Sequence, residues 1–114
     1  MAHLLHITTA TAWARAQAVG SYTADSLDTE GFIHCSEPQQ VVWVANTRFR
    51  GRHDLVLLHI DASRLDAAVR YENLEGGKEL FPHVYGEIPV AAVIDVTPFT
   101  PSADGTFSFP SRSG

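Results

Sequence analysis

A single cysteine, Cys35, rules out an internal disulfide and suits a reducing compartment. No stretch approaches the roughly 20 apolar residues of a membrane-spanning helix. The first residues, Met1-Ala2-His3-Leu4-Leu5-His6, lack the basic start and long apolar segment of a secretory signal, so the cytoplasm is the expected compartment. Basic excess is missing too. Eight Lys and Arg against thirteen Asp and Glu leave a net charge of −5, which disfavours nucleic acids and anionic membranes as partners. The glycine patterns of phosphate and dinucleotide loops are absent, as is the Gly-x-Ser-x-Gly turn of a hydrolase serine. Gly76-Gly77-Lys78 has the wrong spacing and no following hydroxyl, and reads as a surface loop.

What remains is a chain of 114 residues, 45% apolar and 18% charged, with no repeat. That is enough for one core without metal or disulfide staples. A single domain is expected over residues 1–99, followed by a loose Ser-, Gly- and Pro-rich tail over 100–114.

The organising stretch is Glu30-Gly31-Phe32-Ile33-His34-Cys35-Ser36. Gly31 provides a turn, and Phe32 and Ile33 favour a strand. On that strand His34 and Ser36 leave from one face, Ile33 and Cys35 from the other. Ser36-Glu37-Pro38 carries helix-start chemistry, which predicts a helix over residues 37–49 with Ser36 as its cap. Val41, Val44, Ala45 and Arg48 share one face of it, and Arg48, Arg50 and Arg52 read as its solvated basic end, with a phosphate site as the alternative.

Around this stretch, Leu4 to Ile7 reads as a first strand and Ala10 to Val19 as a helix capped by Thr8 or Thr9 and closed by Gly20. The helix face Ala12, Trp13, Ala16 and Val19 should turn inward. Ser21 to Thr29 reads as a polar loop, a lip over a site. Leu55 to Ile60, apolar except for His59, is a buried strand. Asp61 caps one helical turn, Val69 to Glu72 is a short strand, Phe81 to Gly86 is extended, and Val93 to Phe99 is a last strand. Early helices and late hairpin-scale strands indicate an α+β fold with a mainly antiparallel sheet.

Three of six histidines, His6, His34 and His83, end apolar strands and would line one cleft. Three imidazoles, or two with Cys35, would satisfy zinc. Against this, no histidine pair has a local ligand spacing and Cys35 faces away from His34, so no metal is expected. Ser36 as a nucleophile is weaker than Ser36 as a cap. Glu72 is the acid placed to orient a histidine or a sugar hydroxyl, and Tyr85 is a ring for stacking.

The set His6-Ile7-Thr8-Thr9, Trp13, Gly20, Glu30 to Ser36, Tyr71-Glu72 and Phe81-Pro82-His83-Val84-Tyr85-Gly86 resembles the small bacterial family described as domain of unknown function 952, from about Leu4 to Phe99. That family in turn resembles the ADP-ribosyltransferase-like fold. The RNA 2′-phosphotransferase branch is nearest in motif, through His6, Thr8, His34 and Ser36. The resemblance implies split, twisted antiparallel sheets with helices after the first and second strands, and an NAD-sized cleft. It implies NAD as substrate, with cleavage of the nicotinamide–ribose bond and transfer of ADP-ribose.

In that scheme His6, His34, His83 and Glu72 are catalytic, while Thr8, Ser36 and Tyr85 bind the nucleotide. The usual late-strand glutamate is replaced near His83, with Glu72 or Glu87 as the substitute acid. A neutral histidine stabilises a cation less than a carboxylate does. The alternatives are a non-catalytic small-molecule or nucleotide-binding domain of the same fold, and a histidine-lined metal-dependent hydrolase. Neither the acceptor nor the oligomeric state follows from these residues.

Overall fold

The computed structural model describes residues 3–73 and 79–109; Gly76-Gly77-Lys78 lies outside them. Strand β1 (His3–Thr9) leads into helix α1 (Ala10–Val19). Thr9 caps the helix by accepting the Ala12 N–H at 3.0 Å, and Gly20, at φ 102°, ends it in the left-handed conformation. Ala16 is buried, and Ala12 and Trp13 pack against the core. Val19, expected inward, is 78% exposed because the chain turns away at Gly20.

The segment expected to be a loop holds two short elements, β2 (Ser21–Tyr22) and α2 (Asp25–Thr29). Both depend on tertiary contact. β2 exists only through pairing with β7 (Ile88–Pro89), which no local pattern announces. Next come β3 (Ile33–His34), α3 (Val41–Arg48), β4 (Leu55–Asp61), β5 (Val69–Glu72), β6 (Phe81–Val84) and β8 (Val93–Pro98). Single 3-10 turns, Ala62–Arg64 and Val90–Ala92, precede β5 and β8, and Asp61 caps the first of them.

The helix predicted over residues 37–49 starts later, at Val41. Ser36 is not its cap, because its backbone N–H and C=O are both bonded to Leu5 at 2.8 Å and hold the chain extended. Residues 37–40 form a turn in which the Gln40 side chain accepts the Glu37 N–H at 2.9 Å.

All pairing is antiparallel, in sheets ordered β1-β4-β8, β2-β7 and β3-β6-β5. The Leu5–Ser36 bridge ties the first sheet to the third. β4 is buried on both faces, as its continuous apolar run predicts. Leu58 and Ile60 join Leu4, Ile33 and Val84 on one face, while Leu55 and Leu57 join Leu5, Ile7, Val41 and Ala45 on the other. Each such fully buried side chain contributes about 1.5–3 kcal/mol.

Of the tail expected to be loose from residue 100, the described part, residues 100–109, is anchored. Phe107 is buried against Phe99 (ring centroids 4.8 Å apart), and Asn46 both accepts its N–H and donates to its C=O. An aromatic with a waiting side-chain amide outweighs the local Ser/Gly/Pro composition. Among the described residues no helix is long and apolar enough to cross a membrane.

Candidate functional site

A cavity of about 220 Å³ opens between β1, the β3 strand and its extension to Ser36, α3 and β6. Its polar wall is His6, Ser26, His34, Ser36, Arg48 and His83; Leu5, Ile7, Val44, Phe49 and Phe81 supply the apolar part. His6, from the middle of β1 and not its end as expected, therefore meets His34 and His83, near the ends of β3 and β6, around one hollow. The Leu5–Ser36 bridge brings the first sheet alongside the third, and register opposes His34 to His83 across β3 and β6. Ser36 lines the cavity beside His34, while Ile33 and Cys35 belong to the core on the other face, as strand alternation predicts. Cys35 also touches the cavity wall, and burial pushes its thiol up to about 12, so it is protonated at pH 7.

The histidines differ in what their nitrogens do. His6 is buried, with Nδ1 2.5 Å from the His34 carbonyl oxygen and Nε2 2.7 Å from the Tyr22 hydroxyl. A carbonyl only accepts, so Nδ1 carries the proton and Nε2 of the neutral ring accepts from Tyr22. The same hydroxyl lies 2.9 Å from Thr8 Oγ1. Burial lowers the His6 pKa to about 4, so the ring is neutral at pH 7. Both nitrogens are spent on protein groups. The hydrogen bonds of His6 fix the wall in place, and Thr8 stands behind that ring, not on the cavity surface.

His83 is 2% exposed, and its Nδ1 is buried with no hydrogen-bond partner. That atom faces Glu72 Oε1 at 3.4 Å, and Oε1 already accepts the Tyr85 hydroxyl at 2.5 Å. Burial, then the neighbouring His34, hold His83 below the ordinary histidine value. Glu72 and Tyr85 thus stand behind His83 and do not line the cavity. The Tyr85 ring is covered by the Arg70 guanidinium at 5.1 Å and by Phe32 at 5.4 Å, so it is not the open stacking surface expected.

His34 lies 5.5 Å from His83, ring to ring, with Phe32 against both. Its Nε2 meets Glu30 Oε2 at 3.1 Å, an approach made by the turn at Gly31, φ 88°. Glu87 is elsewhere, on a shallow depression with Asp66 and Pro89.

Sequence reasoning gave no site role to Tyr22 or Glu30, and ranked a phosphate role for the Arg48 cluster second. Tyr22 is the lone aromatic in a polar segment, and its isolation after Gly20 was the available signal. Ser26 of the same segment does reach the cavity, as a lip would. Of the basic cluster, Arg52 pairs with Asp54 on the surface at 2.7 Å, and Arg48, the exposed last residue of α3, is the solvated helix end expected and also borders the cavity. Among the described residues no group of three His, Cys, Asp or Glu is arranged to hold a metal ion.

A family model described as "Protein of unknown function (DUF952)" matches residues 7–96. The crystal structure of protein CC0527 from Caulobacter crescentus is similar at 31% identity, 93% coverage of each chain and a TM-score of 0.83. The solution structure of CC0527 is similar at 32% identity, covering 93% of this chain and 91% of that one, with a TM-score of 0.81. No curated protein matches.

Proposed function

The chain belongs to the DUF952 family, and from that premise we propose that it is a nucleotide-binding domain of the ADP-ribosyltransferase-like kind, holding the ribose-phosphate part of NAD or a related nucleotide in the three-histidine cavity. The observation that carries this reading is the charge of the wall. Arg48, three imidazoles and two serine hydroxyls line it, and no Asp or Glu does among the described residues. This occurs in a chain with thirteen acids and eight bases. A guanidinium with hydroxyl donors is a set that recognises phosphate, whereas the His6 nitrogens are already spent on protein groups. Two antiparallel sheets joined by one bridge also agree with the split sheets of that fold.

Size sets the pose. The cavity, about 220 Å³, is below the roughly 300–1,000 Å³ of pockets that enclose drug-sized ligands. A dinucleotide would fill it with one part and leave the rest at the mouth.

Cleavage of the nicotinamide–ribose bond is the second reading, favoured by the Glu30–His34 pair at 3.1 Å. Positive charge develops on the sugar as that bond breaks, and a nearby carboxylate stabilises it. Glu72 would then act by fixing the His83 ring, without touching the sugar.

Isothermal titration with NAD, ADP-ribose and pyrophosphate tests binding. Saturable binding of all three is expected, with a loss of about tenfold or more in Arg48→Gln. No saturation by any of them, or equal affinity in that variant, overturns the reading. Nicotinamide release on prolonged incubation separates the enzyme from the binding domain.

A further inference from the structure

Trp43 lies on the outward side of α3 and is 57% exposed, although it is one of only two tryptophans. Its ring is stacked on Phe81, with centroids 6.3 Å apart and planes 29° from parallel. Phe81 in turn lines the cavity, as do Val44 and Arg48 from the same helix as Trp43. An aromatic surface therefore runs without a break from the cavity wall to solvent.

The exposed large apolar residues are otherwise scattered, and of these only Leu80 is a chain neighbour of the pair. Two rings and a leucine fall far short of the roughly 800 Å² per partner that a stable protein interface buries. They match a single flat heterocycle.

We propose that Trp43 and Phe81 form a stacking platform at the cavity mouth that takes the purine base of a nucleotide whose phosphate end lies inside. This rests on the nucleotide reading above, and adds a base subsite and a preference for purine nucleotides over those lacking a purine. Tyr85, covered by Arg70 and Phe32 and held by Glu72, leaves this role open.

The test is tryptophan fluorescence and titration with NAD, AMP and nicotinamide mononucleotide, which has the phosphate but no purine. NAD and AMP should quench the Trp43 emission, and the mononucleotide should bind without quenching. Trp43→Ala should weaken NAD and AMP by roughly tenfold and spare the mononucleotide. Trp43→Phe should restore affinity while only the Trp13 signal, unquenched, remains. The position is exposed, so neither change burdens the core. If NAD binds equally well to Trp43→Ala, the platform is wrong and the nucleotide reading stands. If none of the three ligands binds the parent protein, both fall.

Discussion

Two histidine pairs sit in the antiparallel sheets of this molecule, with similar spacing and opposite bonding. His3 and His59, 5.2 Å apart ring to ring, are tied into a chain: His3 Nε2 lies 3.2 Å from His59 Nδ1, and His59 Nε2 lies 3.1 Å from Thr97 Oγ1. His34 and His83, 5.5 Å apart, do not bond each other, and His83 Nδ1 is buried without a partner beside Glu72. A buried polar atom left unpaired costs about 1–3 kcal/mol. Closed hydrogen-bond networks rigidify a fold, and open ones mark places where something other than stability is at stake. His6 belongs with the first pair by its bonding, although it shares a cavity with the second.

The sharpest way to break this contrast is one substitution at two positions. His6→Phe removes two hydrogen bonds, orphans the His34 carbonyl and leaves the Tyr22 hydroxyl with Thr8 alone, so urea unfolding should show a loss of about 3 kcal/mol. His83→Phe removes an atom that makes no hydrogen bond and only faces Glu72 at 3.4 Å, so stability should change by less than about 1 kcal/mol. Nucleotide affinity should nonetheless fall about tenfold or more. Equal destabilisation at both sites would erase the distinction.

Acidity probes the closed network next. In the unfolded chain His6 takes its proton near 6.5, and in the folded protein only near 4. Its neutral form thus favours the fold above pH 6.5. As pH falls from 6.5 to 4, the unfolded state binds the proton first, and stability drops by at most about 3 kcal/mol. His6→Gln should show a correspondingly flatter stability profile across that window. Parallel profiles would mean that His6 is not the group responsible.

The smallest effect belongs to the other pair. Thr97→Val withdraws the hydroxyl from His59 Nε2 and should cost about 1 kcal/mol, with nucleotide affinity unchanged. An altered affinity would tie this pair to the cavity after all.

Much of the framework was legible from local pattern. Alternation put His34 and Ser36 on one face and Cys35 on the other, and the unbroken run Leu55 to Ile60 announced a strand buried on both sides. Threonine and glycine marked the two ends of α1. The failures lie where a distant element intervenes. Ser36 looked like a helix cap but is held by Leu5, and the C-terminal segment looked loose but anchors through Phe107 and Asn46. At the site, the sequence nominated His6, His34, Ser36 and His83, all of which line the cavity, and gave Arg48 a phosphate role only as the second reading. Glu72 stands beside His83, one of the two roles the sequence allowed it, and neither Glu72 nor Tyr85 lines the cavity.

The sequence by itself determined which residues face the same way along each strand and where the first helix begins and ends, because those depend on dihedral preference and short periods. Only the tertiary structure decided which imidazole nitrogens are satisfied, that Tyr22 reaches His6, and that Arg48 enters the cavity wall. For His6 those are contacts between segments 16 and 28 residues apart in the chain. No local rule carries a hydrogen bond across that distance until the sheets have come together.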